Sequence, residues 1–166
     1  MINPAKIASD NADSEPRAQH NSSDFWRVGR KIDVEMPARL HHPNVLAAQS
    51  GGATEFSAER KHPVHIVDLP TKTISMTIGG LLPDQQTSKH RHNYETVIYI
   101  VEGSGVTTIE DKQVAWQAGD AIYIPVWAWH QHKNASASAS CLYIACENAP
   151  LLQNLGGIAL REEGES

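Results

Sequence analysis

Short apolar or alternating runs recur along most of the chain, and this rhythm constrains the fold more than any other feature. The runs are His65–Leu69, Thr73–Leu82, Thr96–Val101, Gly105–Ile109, Gln113–Trp116, Ala121–Ile124, Trp127–His132 and Cys141–Cys146. Turn signals stand between them: Gly103-Ser-Gly105, Glu110-Asp-Lys112, Ala118-Gly-Asp120 and Lys133-Asn134. Strands this short and this frequent build a sandwich or a closed barrel rather than βαβ units. The expected class is therefore all-β.

The 166 residues fit one domain, with 40% hydrophobic residues to fill its core without disulfides. A formal charge of −5 and the lack of any basic block argue against nucleic-acid or membrane-surface binding. Cys141 and Cys146 lie five apart, so along one strand they point to opposite faces and do not bridge. Two reduced core cysteines fit a cytoplasmic protein. Residues 1–23 are polar, contain Pro and Ser and lack an apolar signal core, so a flexible tail is expected there. Order is expected from Asp24-Phe25-Trp26, with a single domain over 24–160 and a solvated end at 161–166. Loops are expected at Ala48–Glu59, with Gly51 and Gly52, and at Ala135–Ser140; Leu151–Leu155 reads as one helical turn before Gly156.

The chemistry lies in two segments, Lys89-His-Arg-His-Asn-Tyr-Glu-Thr96 and Trp127-Ala-Trp-His-Gln-His-Lys-Asn134. In a strand, residues i and i+2 share a face, so His90 and His92 project to one side. Imidazole suits iron, zinc, nickel, copper and manganese, but two rings are half a site. The second segment offers His130 and His132, on the strand that follows Gly119-Asp-Ala-Ile-Tyr-Ile-Pro125.

Here the chain resembles the cupin superfamily, whose first motif is roughly G-x5-HxH-x3/4-E-x6-G and whose second is G-x5-PxG-xx-H-x3-N. His90, His92 and Gly103 match the first; Gly119, Pro125, His130 and Asn134 match the second. The resemblance runs from about Thr73 to Cys146. It implies a double-stranded β-helix, a jelly-roll-like barrel, with His90, His92 and His130 as metal ligands. Ile100-Val-Glu-Gly-Ser-Gly105 and the run Pro125 to Asn134 look most like the gentisate and 1-hydroxy-2-naphthoate dioxygenases. Those enzymes use a three-histidine ferrous site without the usual glutamate, and typically carry two cupins in a chain about twice as long.

Three departures stand out. Asp84 and Trp127 replace motif glycines, and the place of the acidic ligand falls on Thr96 rather than Glu95. A one-residue slip moves a side chain to the other face of a strand, so Glu95 reaches the metal only through a bulge. Three histidines without a carboxylate leave the metal its full positive charge, which favours an anionic chelating ligand. The resemblance thus implies Fe(II), with Mn, Zn or Ni as alternatives, and an extradiol-type, ring-cleaving dioxygenase that takes O2 and a small gentisate- or salicylate-like acid. The competing readings are a metal-dependent isomerase or lyase of a sugar or keto acid, and a non-catalytic small-molecule-binding cupin.

His132 shares the face of His130, so it stands near the substrate as a proton acceptor, supports the ligands, or is a rim residue. By parity Trp127 and Trp129 face away from the metal, towards packing or a subunit interface. Asn134 is expected to serve the turn. His20, His41, His42, His62 and His65 lack partners at ligand spacing and are read as structural or solvated. A homodimer or higher homo-oligomer is expected from the family and from apolar strand edges.

Overall fold

The computed structural model describes residues 35–47 and 57–164, and from Pro37 onward they belong to one compact unit. The expected tail at 1–23 and the onset of order at Asp24 lie outside the described residues, as do His20 and most of the loop at 48–59. Among the described residues ten strands follow one another: β1 (Val64–Ile66), β2 (Ser75–Leu81), β3 (His90–His92), β4 (Thr96–Glu102) and β5 (Ser104–Ile109), then β6 (Lys112–Gln117), β7 (Ala121–Ile124), β8 (His130–Asn134), β9 (Cys141–Glu147) and β10 (Arg161–Glu163). A short helix, α1 (Ala149–Asn154), lies between the last two and stops before Gly156, as the sequence leads one to expect. The strands form two five-stranded sheets, ordered β1-β2-β9-β4-β7 and β10-β3-β8-β5-β6, with every pairing antiparallel. This is the all-β, jelly-roll-like barrel of the cupin fold.

Alternation sets what the barrel encloses. On β4, Thr96, Ile98 and Ile100 point inward, while Val97, Tyr99 and Val101 are 43–49% exposed. Ile122 and Ile124 of β7 and Cys141, Tyr143 and Ala145 of β9 complete that inner face. Leu81 and Trp116 join them in one apolar cluster. Each fully buried Ile or Leu stabilises the fold by roughly 1.5–3 kcal/mol. On the second sheet the buried positions are largely polar: His90 and His92 on β3, Thr107 on β5, and His130, His132 and Asn134 on β8. Asn134 anchors the following loop, donating to Leu81 O and Ala139 O and accepting from the Ser136 amide. Cys141 and Cys146 are both free, the first buried, the second half-buried.

The two residues standing where the cupin motifs carry glycine keep a glycine-like backbone. Asp84 has φ 57° and Trp127 has φ 66°. Asp tolerates this region; a bulky residue such as Trp is out of place there and must be held by its surroundings. Trp127 donates its amide to His92 O at 2.7 Å, and its ring packs on Arg91. The expected strand Trp127–His132 accordingly begins only at His130.

Arg91 is bracketed by the rings of Trp127 and Trp129 at 4.6 and 4.5 Å. Both tryptophans therefore lie on the face opposite the histidines. Arg91 also pairs with Glu162 at 2.7 Å. Arg161–Glu163, within the end expected to be solvated, forms edge strand β10, with Arg161 opposite His92 and Glu163 opposite His90 and the two glutamates exposed. Three charged residues have no strand periodicity of their own. The open edge of β3 supplies their hydrogen bonds, and the Arg91–Glu162 pair fixes their register. Among the described residues no helix is long and apolar enough to cross a membrane.

Candidate metal centre

β3 and β8 are neighbours, and their register places His90 directly opposite His130. Alternation turns His92 to the same side as His90, so three rings meet inside the barrel. Ring centroids are 4.1 Å apart for His90 and His130, 4.8 Å for His92 and His130, and 6.0 Å for His90 and His92. One ring nitrogen from each lies within 4.8 Å of the other two, and all three residues are buried.

The other nitrogens fix the tautomers. Nδ1 of His90 lies 2.8 Å from Ser88 O, Nδ1 of His92 2.7 Å from Tyr94 O, and Nδ1 of His130 2.9 Å from Ala128 O. A carbonyl only accepts, so each Nδ1 carries the proton and each Nε2 keeps its lone pair. Burial keeps the rings neutral: it and the neighbouring His130 push His92 down to about 4, and His90 is pushed lower still by the same causes. Burial likewise lowers His130. Three neutral nitrogen donors, oriented by backbone carbonyls, suit a first-row divalent metal. Among the described residues no acid or thiol joins the group.

Glu95 and Thr96 take opposite faces of β4 and its approach. Glu95 is exposed, accepting from Tyr123 OH at 2.8 Å and from Asn148 Nδ2 at 3.2 Å. Thr96 is 3% exposed, lines the cavity, and its buried Oγ1 has no hydrogen-bond partner. An orphaned hydroxyl beside three lone pairs is what a site awaiting a polar occupant presents. Glu95→Gln is therefore expected to retain metal within about twofold, since its surface bonds are worth little to the barrel. Loss of metal as complete as in a histidine variant, measured by metal analysis after dialysis, would show that Glu95 reaches the ion.

The same cavity is lined by residues that spacing did not single out. Arg60 and His62 arrive from the segment before β1, Arg161 from β10, and Tyr143 and Glu147 from β9. Glu147 is pushed above the ordinary carboxylate range by burial, against the pull of Arg60 and Arg161. It continues the inward parity of Cys141, Tyr143 and Ala145, so extending that run by two residues finds it. Nothing local marks Arg60, His62 or Arg161. His132 also lines the cavity, with its ring centroid 5.5 Å from that of His130. His42 instead accepts from the Asp68 amide, and Nδ1 of His65 is buried without a partner.

Residues 78–145 match the model of the Cupin domain. The chain is 33% identical over 127 residues to the 5-aminosalicylate 1,2-dioxygenase of Comamonas sp., a match that covers 74% of this chain and 32% of that protein. It is 35% identical over 127 residues to gentisate 1,2 dioxygenase 1 of Aquipseudomonas alcaligenes, covering 67% of this chain and 37% of that one. Its fold superimposes on the salicylate 1,2-dioxygenase of Pseudaminobacter salicylatoxidans with a TM-score of 0.58 at 22% identity, over 64% of this chain and 32% of that chain. The chain thus spans about a third of the length of these relatives. The histidine spacing, the two-sheet barrel and the matched domain agree: residues 78–145 form a cupin domain, with motifs like those of the gentisate and 1-hydroxy-2-naphthoate dioxygenases.

Proposed function

We propose that the barrel holds ferrous iron on His90, His92 and His130 and cleaves the ring of a small aromatic acid that carries a hydroxyl beside its carboxylate, with O2 as co-substrate. The observation that carries this reading is the donor set: three neutral Nε2 atoms converging where, among the described residues, no carboxylate joins them. Such a set leaves the ion's charge uncompensated by the protein, and an anionic, two-oxygen ligand restores the balance. Ferrous iron, when bound, would supply Lewis acidity towards the hydroxy acid and a path for electrons to O2. The chain's own residues do the rest. Arg60 and Arg161 line the cavity and attract a carboxylate. Ile98, Ile124 and Ala145 give the aromatic ring an apolar wall. The carbonyl-locked histidines hold their donor geometry without rearrangement. The dioxygenase names of the relatives support the same reaction class.

The test is an oxygen electrode with protein loaded anaerobically with Fe(II). Salicylate, gentisate and 5-aminosalicylate are the first substrates, and uptake of about one O2 per ring cleaved is expected from incorporation of both atoms. Arg161→Gln should raise KM about tenfold with kcat little changed, as loss of a charge-assisted contact made equally in ground and transition states requires. Iron-loaded protein that consumes no O2 with hydroxylated aromatic acids, yet interconverts a sugar or keto acid under nitrogen, would replace the dioxygenase with an isomerase or lyase.

A further inference from the structure

His132, which also lines the cavity, is wired differently from His90, His92 and His130. His132 is opposite Thr107 in the β5–β8 register, and its Nδ1 lies 2.9 Å from Thr107 Oγ1 rather than from a carbonyl. Thr107 is fully buried, and its hydroxyl has one other partner: Trp116 Nε1, at 2.9 Å. An indole N–H is a donor only, so it occupies a lone pair of the hydroxyl and leaves the hydroxyl proton to be placed. If His132 also donated, a fully buried O–H would have two donors pointing at it and no acceptor for its own proton. Buried polar groups are rarely left in that state. The consistent arrangement runs one way: Trp116 donates to Thr107, Thr107 donates to His132 Nδ1, and the single proton of a neutral His132 sits on Nε2. The His132 ring stands 6.3 and 5.5 Å from those of His90 and His130, centroid to centroid. The backbone is pinned as well, since the His132 amide donates to Thr87 Oγ1 and the Thr87 amide to His132 O.

We propose that the Trp116–Thr107 pair locks His132 as an Nε2–H donor to an oxygen of the bound acid, setting it apart from the three lone-pair histidines. His132 then cannot add a fourth nitrogen to the metal without giving up its proton, and its Nε2 cannot take a proton from the substrate. The donor role replaces the proton-acceptor role that its place on β8 invites. What it recognises is an anionic or strongly accepting oxygen, such as a carboxylate or phenolate of a hydroxy acid. Thr107 and Trp116 are positioning residues that act through His132. The identity of the ligand rests on the proposed dioxygenase reading, whereas the tautomer does not.

The experiment is long-range proton–nitrogen correlation NMR on the full chain labelled with nitrogen-15 at histidine and stripped of metal. The His132 signals are assigned by their loss in His132→Gln. Wild-type protein should show His132 protonated at Nε2 alone, and His90, His92 and His130 at Nδ1 alone. Thr107→Ser keeps the hydroxyl and the pattern. Thr107→Val removes it, and His132 should lose its Nε2–H preference. On Fe(II)-loaded anaerobic protein, Thr107→Val should weaken salicylate binding about tenfold, the worth of one hydrogen bond to a charged oxygen. Thr107→Ser should stay within about twofold, and metal content should be unchanged in both variants, since Thr107 is not among the ligands. His132 protonated at Nδ1, or at both nitrogens, in the wild-type protein would overturn the proposal without any variant having to fold. So would a Thr107→Val protein with unaltered tautomer and salicylate affinity. A failure to consume O2 would count against the dioxygenase alone and leave the tautomer measurement decisive here.

Discussion

His130→Ala is expected to lose bound metal almost completely. His130 is the one member of the triad supplied by β8; His90 and His92 both come from β3 and stand 6.0 Å apart between ring centroids. Its ring is the close neighbour of both, at 4.1 and 4.8 Å, so it closes the site rather than decorating it. Partners that merely orient a metal-bound histidine are worth about 10–100-fold in affinity, so deleting a ligand should exceed a hundredfold. The readout is metal per chain after dialysis against a chelator, with circular dichroism to confirm that the barrel survives. His62→Ala and His65→Ala are the controls. The first removes a cavity-lining histidine outside the triad, the second a histidine away from the cavity, and both should keep their metal. Full occupancy in His130→Ala would remove His130 from the ligand set.

How far the sequence alone reaches is set by the range of the physics each feature depends on. Strand alternation is local, and it marks Thr96–Val101, Ala121–Ile124 and Cys141–Cys146 as strands, with Cys141 and Cys146 on opposite faces. It also carried Thr96 inward and Glu95 outward, a distinction that rests on one residue of register. The positions of Asp84 and Trp127 could be seen as departures from a glycine pattern, but not that their backbones would remain left-handed. Strand β10 was illegible because Arg161-Glu-Glu163 owes its pairing to β3 and to Arg91, neither of which is near in sequence. The charged lining of the cavity was illegible for the same reason: Arg60 and Arg161 are a hundred residues apart and carry no shared motif. His132 illustrates a finer limit. Its face followed from parity, but which of its nitrogens holds a proton depends on Thr107 and Trp116, and hydroxyl and indole partners leave no spacing signature.

Gly105→Ala is expected to destabilise the barrel by about 2–4 kcal/mol, because overpacking of a rigid interior cannot be relieved by one side chain turning aside. A Cβ at this position would meet Lys133 O and two ring carbons of Trp116, each at 2.3 Å. Gly105 faces Trp116 on β6 and Asn134 on β8, so it is gripped from both sides of its own sheet. The carbonyl belongs to a paired strand. The indole is 5% exposed and tethered through Nε1 to Thr107, so tilting it away breaks the bond that reaches His132. Gly119→Ala separates this crowding from backbone strain. Gly119 has φ 94°, yet nothing lies within 4 Å of the added methyl, so its cost should be confined to about 1–2 kcal/mol of left-handed backbone. Urea unfolding of the two variants beside the wild type measures both. A Gly105→Ala protein no less stable than Gly119→Ala would mean that β5, β6 and β8 part more easily than their packing implies. The indole would then be free to shift, and the anchor that holds Thr107 against His132 would be softer than the present geometry requires.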